Sequence, residues 1–332
     1  MGGAVGDALG TPVRSMSSEQ IQARYGTKGV TSILPADGRF GAVSAITQTT
    51  LFTAEGLLVA KTRGDDNDLS RITTSIYQAY LRWFMTQSEL PQAQLLAQHG
   101  TCSIVDGILT GFQELHVRRF PDATSLAALK QGRMGTYAKP INNSRGNSAI
   151  VRTAPVGLIA GEDLAFDLAC AVAQTTHGHP SAYLAAGSLA QIIAAIVHGD
   201  SIASAMDKVM CRLKDFGVEA DECLASLNQV RVLRKSEPTS LKRMETLGRG
   251  QTAVEVLAIA LYSCLVAEDD FEKGIFLALN HSGATDCTGA VAGSLLGVRG
   301  GAASIPSRFV KPLELRALIL EMATDLHDLG QI

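Results

Sequence analysis

The chain has 332 residues, 46% hydrophobic, 18% charged and 5% aromatic, which is the composition of a globular protein and excludes a disordered tail, a mini-scaffold and a coiled coil. With 29 Lys and Arg against 32 Asp and Glu, the formal net charge is -3, so there is no electrostatic footprint for nucleic acid or an anionic membrane. Cys102, Cys170, Cys211, Cys223, Cys264 and Cys287 lack CxxC spacing and sit mostly in apolar helical patterns. They read as free thiols of a reducing compartment, not as a disulfide framework or a zinc site.

Met1 to Gly10 opens directly on a small-residue pattern, which reads as a trimmed start. It carries no basic region followed by an apolar run, and polar residues interrupt the longest apolar stretches before the roughly 20 residues that span a bilayer. A cytoplasmic location is the expectation. Apolar residues recur at three- and four-residue intervals over Thr50–Ala60, Leu69–Trp83, Ala165–Thr175, Ala182–His198, Ala253–Val266, Phe271–Leu279, Ala290–Leu296 and Leu313–Leu329, the period of a helix with one buried face. Strand-like alternation is nearly absent. Residues 1–332 therefore read as one all-α domain of a dozen or so helices. Small residues at contact positions (Ala185, Ala186, Gly187; Ala290, Ala292, Gly293) let helices approach closely.

Turn chemistry marks loops at Ser32 to Val43, Gly135 to Gly146, His177 to Pro180 and Arg299 to Pro306. The polar stretch Arg231 to Arg249 reads as a surface excursion. Asp65-Asp66-Asn67-Asp68 lacks the glycine and glutamate spacing of a calcium loop and reads as a solvated helix N-terminus.

Four segments pack glycine, hydroxyl, amide and ionisable residues at helix ends, where helical proteins hold anions and metals. They are Gly6 to Arg14, Ser44 to Thr50, Ser144 to Arg152 followed by Thr176-His177-Gly178-His179-Pro180, and Asn280 to Gly289. With the run Ile150 to Leu158 and the Asn280-His281-Ser282-Gly283 segment, in this order and at these distances, the chain resembles the ADP-ribosylglycohydrolase family from Gly2 to about Leu329. The resemblance implies a compact orthogonal helical bundle with a central cleft. It further implies two Mg²⁺ ions and cleavage of the bond joining ADP-ribose to a protein side chain. The family's metal ligands are a Glu after the first Gly-Asp motif, a Thr-Asp-Asp triplet and an Asp-x-Asp-Thr or Asp-x-Asp-Ser cluster.

At the matching positions this sequence has Arg14, Ser44-Ala45-Ile46, Ala284 and Cys287, with Asp286 the one surviving carboxylate. A Mg²⁺ pair needs several anionic oxygens, so no metal cofactor is expected. Arg14 and Asp286 are the catalytic candidates. They are expected either to form a fork-shaped ion pair in the volume of the metals or to leave Arg14 in solvent. Ligand contact is expected from Gly146, Asn147, Ser148 and Arg152, and from His177 at a helix mouth, while Ala149 and Val151 depart from the family. Asp7 reads as a helix cap, His179 and His281 as structural, and Cys287 as a small residue in a former hydroxyl position. Two functional expectations follow. The first is a family member without Mg²⁺ chemistry that acts by binding ADP-ribose or ADP-ribosylated protein, or as an immunity protein against an ADP-ribosyltransferase toxin. The second is a hydrolase, either of the family's reaction or metal-independent with an altered substrate.

Overall fold

A computed structural model describes residues 1–65, 68–87, 107–235, 241–268 and 270–328. In chain order the helices are α1 (Gly2–Gly10), α2 (Ser18–Tyr25), α3 (Ala45–Thr62), α4 (Leu69–Thr86), α5 (Ala123–Lys130), α6 (Ser148–Val151), α7 (Ala154–Ile159), α8 (Glu162–Gln174) and α9 (Pro180–Val197). They continue with α10 (Ile202–Leu213), α11 (Asp221–Leu233), α12 (Leu241–Met244), α13 (Ala253–Ala267), α14 (Phe271–Leu279), α15 (Thr285–Gly300), α16 (Ser307–Val310) and α17 (Arg316–Asp328). The fold is all-α. Among the described residues one hairpin pairs β1 (Pro35–Ala36) with β2 (Arg39–Phe40) across Asp37 and Gly38, both at positive φ, as a two-residue type I′ turn requires.

Every periodic segment of the sequence falls inside one of these helices, apart from their end residues; Leu329 lies outside the described residues. Side-chain caps set the starts. Ser44 Oγ accepts from Ile46 N, Asp68 from Arg71 N, Thr252 from Glu255 N and Asp270 from Lys273 N, each satisfying a backbone donor that the first turn leaves open. Of the polar run at 65–68, residues 66 and 67 lie outside the described residues, and Asp68 is a helix cap as expected.

The core centres on α9, whose 18 residues are apolar and long enough to cross a membrane but are almost wholly buried by protein. It begins at His179, the N-cap, with Pro180 in the first turn, where a missing N–H costs nothing. Helices α7, α8, α10 and α13 pack around it. α13 in turn packs on α15, and α15 on α1 and α14.

Two elements differ from the sequence expectation. The first ten residues form a helix despite four glycines in nine positions, each worth about 1 kcal/mol against alanine in a helix interior. A methyl on Gly6 would lie 1.9 Å from the Gly289 carbonyl oxygen of α15, so glycine is what allows the two backbones to meet. Asp7 is consequently in the body of a helix, not at its entrance. The stretch Arg231 to Arg249 is not wholly a surface excursion either: α11 runs to Leu233, Met244 and Leu247 are buried, and Glu245 accepts from Ser282 N and Oγ. Residues 236–240 of that stretch lie outside the described residues.

Candidate functional site

The packing of α1 on α15 brings the two ends of the chain to one place. After α1 the residues Thr11–Val13 form a 3₁₀ turn. Ser15 N then donates to Gly283 O at 2.8 Å, and Gly283 N donates to Met16 O at 3.1 Å. This clamp holds Arg14 against the first turn of α15, where Arg14 Nε lies 2.9 Å from Asp286 Oδ2. The guanidinium also lies over the Phe120 ring, 4.3 Å from its centroid, a geometry in which the ring face attracts the cation. The Arg14 side chain is 34% exposed and that of Asp286 is 2% exposed. The pair is closest at Nε and is an ionic contact, not a two-pronged fork of hydrogen bonds, since Nε has no hydrogen-bond partner.

Asp7 is fully buried and caps a helix, but a neighbouring one. Its carboxylate accepts from Ser44 N and Oγ, Thr47 N and Oγ1, and Thr11 Oγ1, at 2.6–3.3 Å. The backbone donors are at the start of α3, so a carboxylate from α1 fixes that helix's N-terminus. Burial pushes the Asp7 carboxyl up, against the pull of these hydrogen bonds.

A third element completes the wall. Arg119 is buried and ion-paired with the buried Glu314, and its carbonyl accepts from Ala45 N at 2.9 Å. Phe120 follows at φ +53°, a costly conformation for a bulky residue, which this anchoring imposes. Asp122 then caps α5 by accepting from Ser125 N at 2.7 Å.

These elements enclose a cavity of about 280 Å³. Of the residues singled out in the sequence, Arg14, Ala45, Ile46, Asn147, Ser148, Arg152, Asp286 and Cys287 line it. Gly146, Ser44, Ala284 and His177 do not. Gly146 bridges to Thr252 and lies under the His177 ring. Ser44 is occupied by Asp7, and Ala284 is the buried N-cap residue of α15. His177 is fully buried behind Ser148, with its Nε2 2.9 Å from Ser148 Oγ and 3.6 Å from Asp122 Oδ2, so it meets the cavity through those two side chains. His179 caps α9 by accepting from Ser181 N, and His281 bonds Ser282 O and Thr288 Oγ1.

Sequence reasoning missed Phe120 and Asp122. The signal for Asp122 was an Asp three residues before Ser125 at a helix start, a cap pattern. Nothing in the pattern marked it as a cavity residue.

The donor set does not suit a magnesium pair. Asp286 already meets Arg14 Nε and accepts from Cys287 N at 2.9 Å, and Asp7 is saturated by five donors. Ala45, Ile46 and Ala284 offer no side-chain oxygen. No group of three His, Cys, Asp or Glu side chains suited to a metal converges among the described residues. Cys287 borders the cavity, but burial and the Asp286 charge push its thiol well above the usual range, which leaves it protonated and weakly nucleophilic.

Comparison with protein families matches residues 1–331 to ADP-ribosylglycohydrolase. The chain belongs to the ADP-ribosylglycohydrolase family. It is 27% identical over 336 residues to an uncharacterised protein of Archaeoglobus fulgidus, a match covering 99% of this chain and 94% of that one. Among solved structures it resembles an ADP-ribosylglycohydrolase-related protein complex, with a TM-score of 0.57 and 25% identity, covering 99% and 95% of the two chains. Within this ADP-ribosylglycohydrolase fold, the positions that read as degenerate in the sequence are those that gather between α1, α3 and α15.

Proposed function

We propose that this ADP-ribosylglycohydrolase-family protein binds an ADP-ribosyl group in the cavity without hydrolysing it through a magnesium pair. The observation that carries this reading is the Arg14–Asp286 pair, which puts a guanidinium against the one carboxylate of α15 that could serve a metal. Arg14 Nη1 and Nη2 supply donors suited to a phosphate oxygen. The presenting molecule is an ADP-ribosylated protein; where it is instead an ADP-ribosyltransferase toxin, the chain acts as an immunity protein.

Thermal unfolding with ADP-ribose and with Mg²⁺ tests the proposal. A ligand that binds only the folded state stabilises it by about 2.7 kcal/mol at a hundredfold excess over Kd. The midpoint should rise with ADP-ribose and stay fixed with Mg²⁺. Mg²⁺-dependent release of ADP-ribose from ADP-ribosyl-arginine protein, abolished by Asp286→Ala, overturns the reading.

A further inference from the structure

The buried polar groups behind the cavity form one hydrogen-bonded chain from Arg152 to Asp122, and its direction can be worked out. Ser148 Oγ donates its single proton to Asp122 Oδ2 at 2.7 Å. The same oxygen is 2.9 Å from His177 Nε2, so Nε2 must carry the proton in that contact. Burial and the Arg152 charge push the imidazole down to about 3, so the ring is neutral and Nδ1 is an acceptor. Thr176 Oγ1, 2.9 Å from Nδ1, then donates to it while accepting from Arg152 Nη2. Each donor points the same way: Arg152 to Thr176, to His177, to Ser148, to Asp122.

Two consequences follow. His177 cannot take a proton from Ser148, so this pair is no nucleophile and base. Asp122 is the terminal acceptor of the chain, and its hydrogen bonds from Ser125 N and Ser148 Oγ both end on Oδ2. Its side chain is 30% exposed and borders the cavity.

We infer that Asp122 is the acceptor that reads the hydroxyl groups of a sugar phosphate in this cavity, opposite the cation Arg14. Arg14 and Arg152 border the same space, and Asp286 is already met by Arg14, so a cationic ligand group has only Asp122 to face and two guanidiniums beside it. A neutral hydroxyl donor attached to an anion satisfies both walls at once. The inference rests on the reading that the cavity binds a ligand, and it names which part of that ligand is selected.

Titration calorimetry of the full chain with ADP-ribose, ribose 5-phosphate and inorganic pyrophosphate tests it. Asp122→Asn should weaken the two sugar phosphates about tenfold or more, the loss expected when a hydroxyl's charged acceptor is removed, and leave pyrophosphate within about twofold. Equal weakening of all three probes, or none, overturns the assignment, as does wild-type binding of pyrophosphate with neither sugar phosphate. Binding of ribose 5-phosphate with the expected Asp122 dependence, but no binding of ADP-ribose, refutes the ADP-ribosyl reading and leaves this one standing. A measurement on the wild type guards against a variant that fails to fold. Nitrogen NMR should find neutral His177 protonated at Nε2, and protonation at Nδ1 overturns the direction of the chain.

Discussion

Arg14 reaches Asp286 from a position one-third open to water, while the carboxylate it meets is almost wholly buried. Removing the two partners is therefore unequal. Arg14→Ala leaves a buried carboxylate without its cation; Asp286→Asn leaves an arginine that can turn to solvent. Breaking a fully buried pair costs about 3–5 kcal/mol, and water at Arg14 reduces this, so we expect about 1–3 kcal/mol for Arg14→Ala and less for Asp286→Asn. Urea unfolding of both variants compares them, and equal losses would contradict the asymmetry.

Asp7 makes a larger contribution to the fold. Asp7→Asn replaces one acceptor oxygen by an amide that confronts the donors of Ser44 and Thr47. Unpaired donors buried at the start of α3 should cost about 3 kcal/mol. A denaturation midpoint within error of wild type would show that α3 needs no cap from α1.

Acid should weaken the protein through His177. The imidazole is held neutral in the fold, down to about 3 from its ordinary 6.5, so below pH 6.5 the unfolded chain binds a proton that the folded one refuses. Stability then falls as pH drops from about 6.5 toward 3, by about 2 kcal/mol at pH 5. Burial pushes His281 down as well and adds to the slope in the same sense. His177→Gln, compared with wild type at pH 7 and pH 5, should lose about 2 kcal/mol of the difference between the two. An unchanged slope would mean that His177 is protonated in the folded state.

The meeting of α1 and α15 offers a sharper contrast. Gly6→Ala drives a methyl into the Gly289 carbonyl, beyond what rotamer adjustment can relieve, so we expect a loss of about 3 kcal/mol or more. Gly161→Ala, where a methyl meets nothing within 4 Å, should cost no more than about 1 kcal/mol, the preference for glycine over alanine at the N-cap of α8. If the two variants melt together, the close approach does not limit the fold.

The helices with an apolar face were legible because burial imposes a 3.6-residue period. Helix α1 was not: its glycines serve backbone contact, which hydrophobic periodicity does not register. At the site, the identity of Arg14, Ala45, Ile46 and Asp286 could be read from the sequence. What Arg14 touches could not, since Asp286 lies far along the chain and the clamp at Ser15 and Gly283 is made by backbone groups. Asp122 escaped notice for a related reason. As an exposed-looking cap after Pro121, it had no local sign of the buried chain leading to it from Arg152.

The glycine seam between α1 and α15 also bears on motion. Where side chains interlock, helices can shift by exchanging rotamers; where carbonyl meets glycine, there is nothing to exchange. Arg14 and Asp286 are each carried just beyond or within this seam, so their spacing is set before any ligand arrives. A guest therefore meets a guanidinium and a carboxylate already set at their distance, like the fixed jaw of a vice.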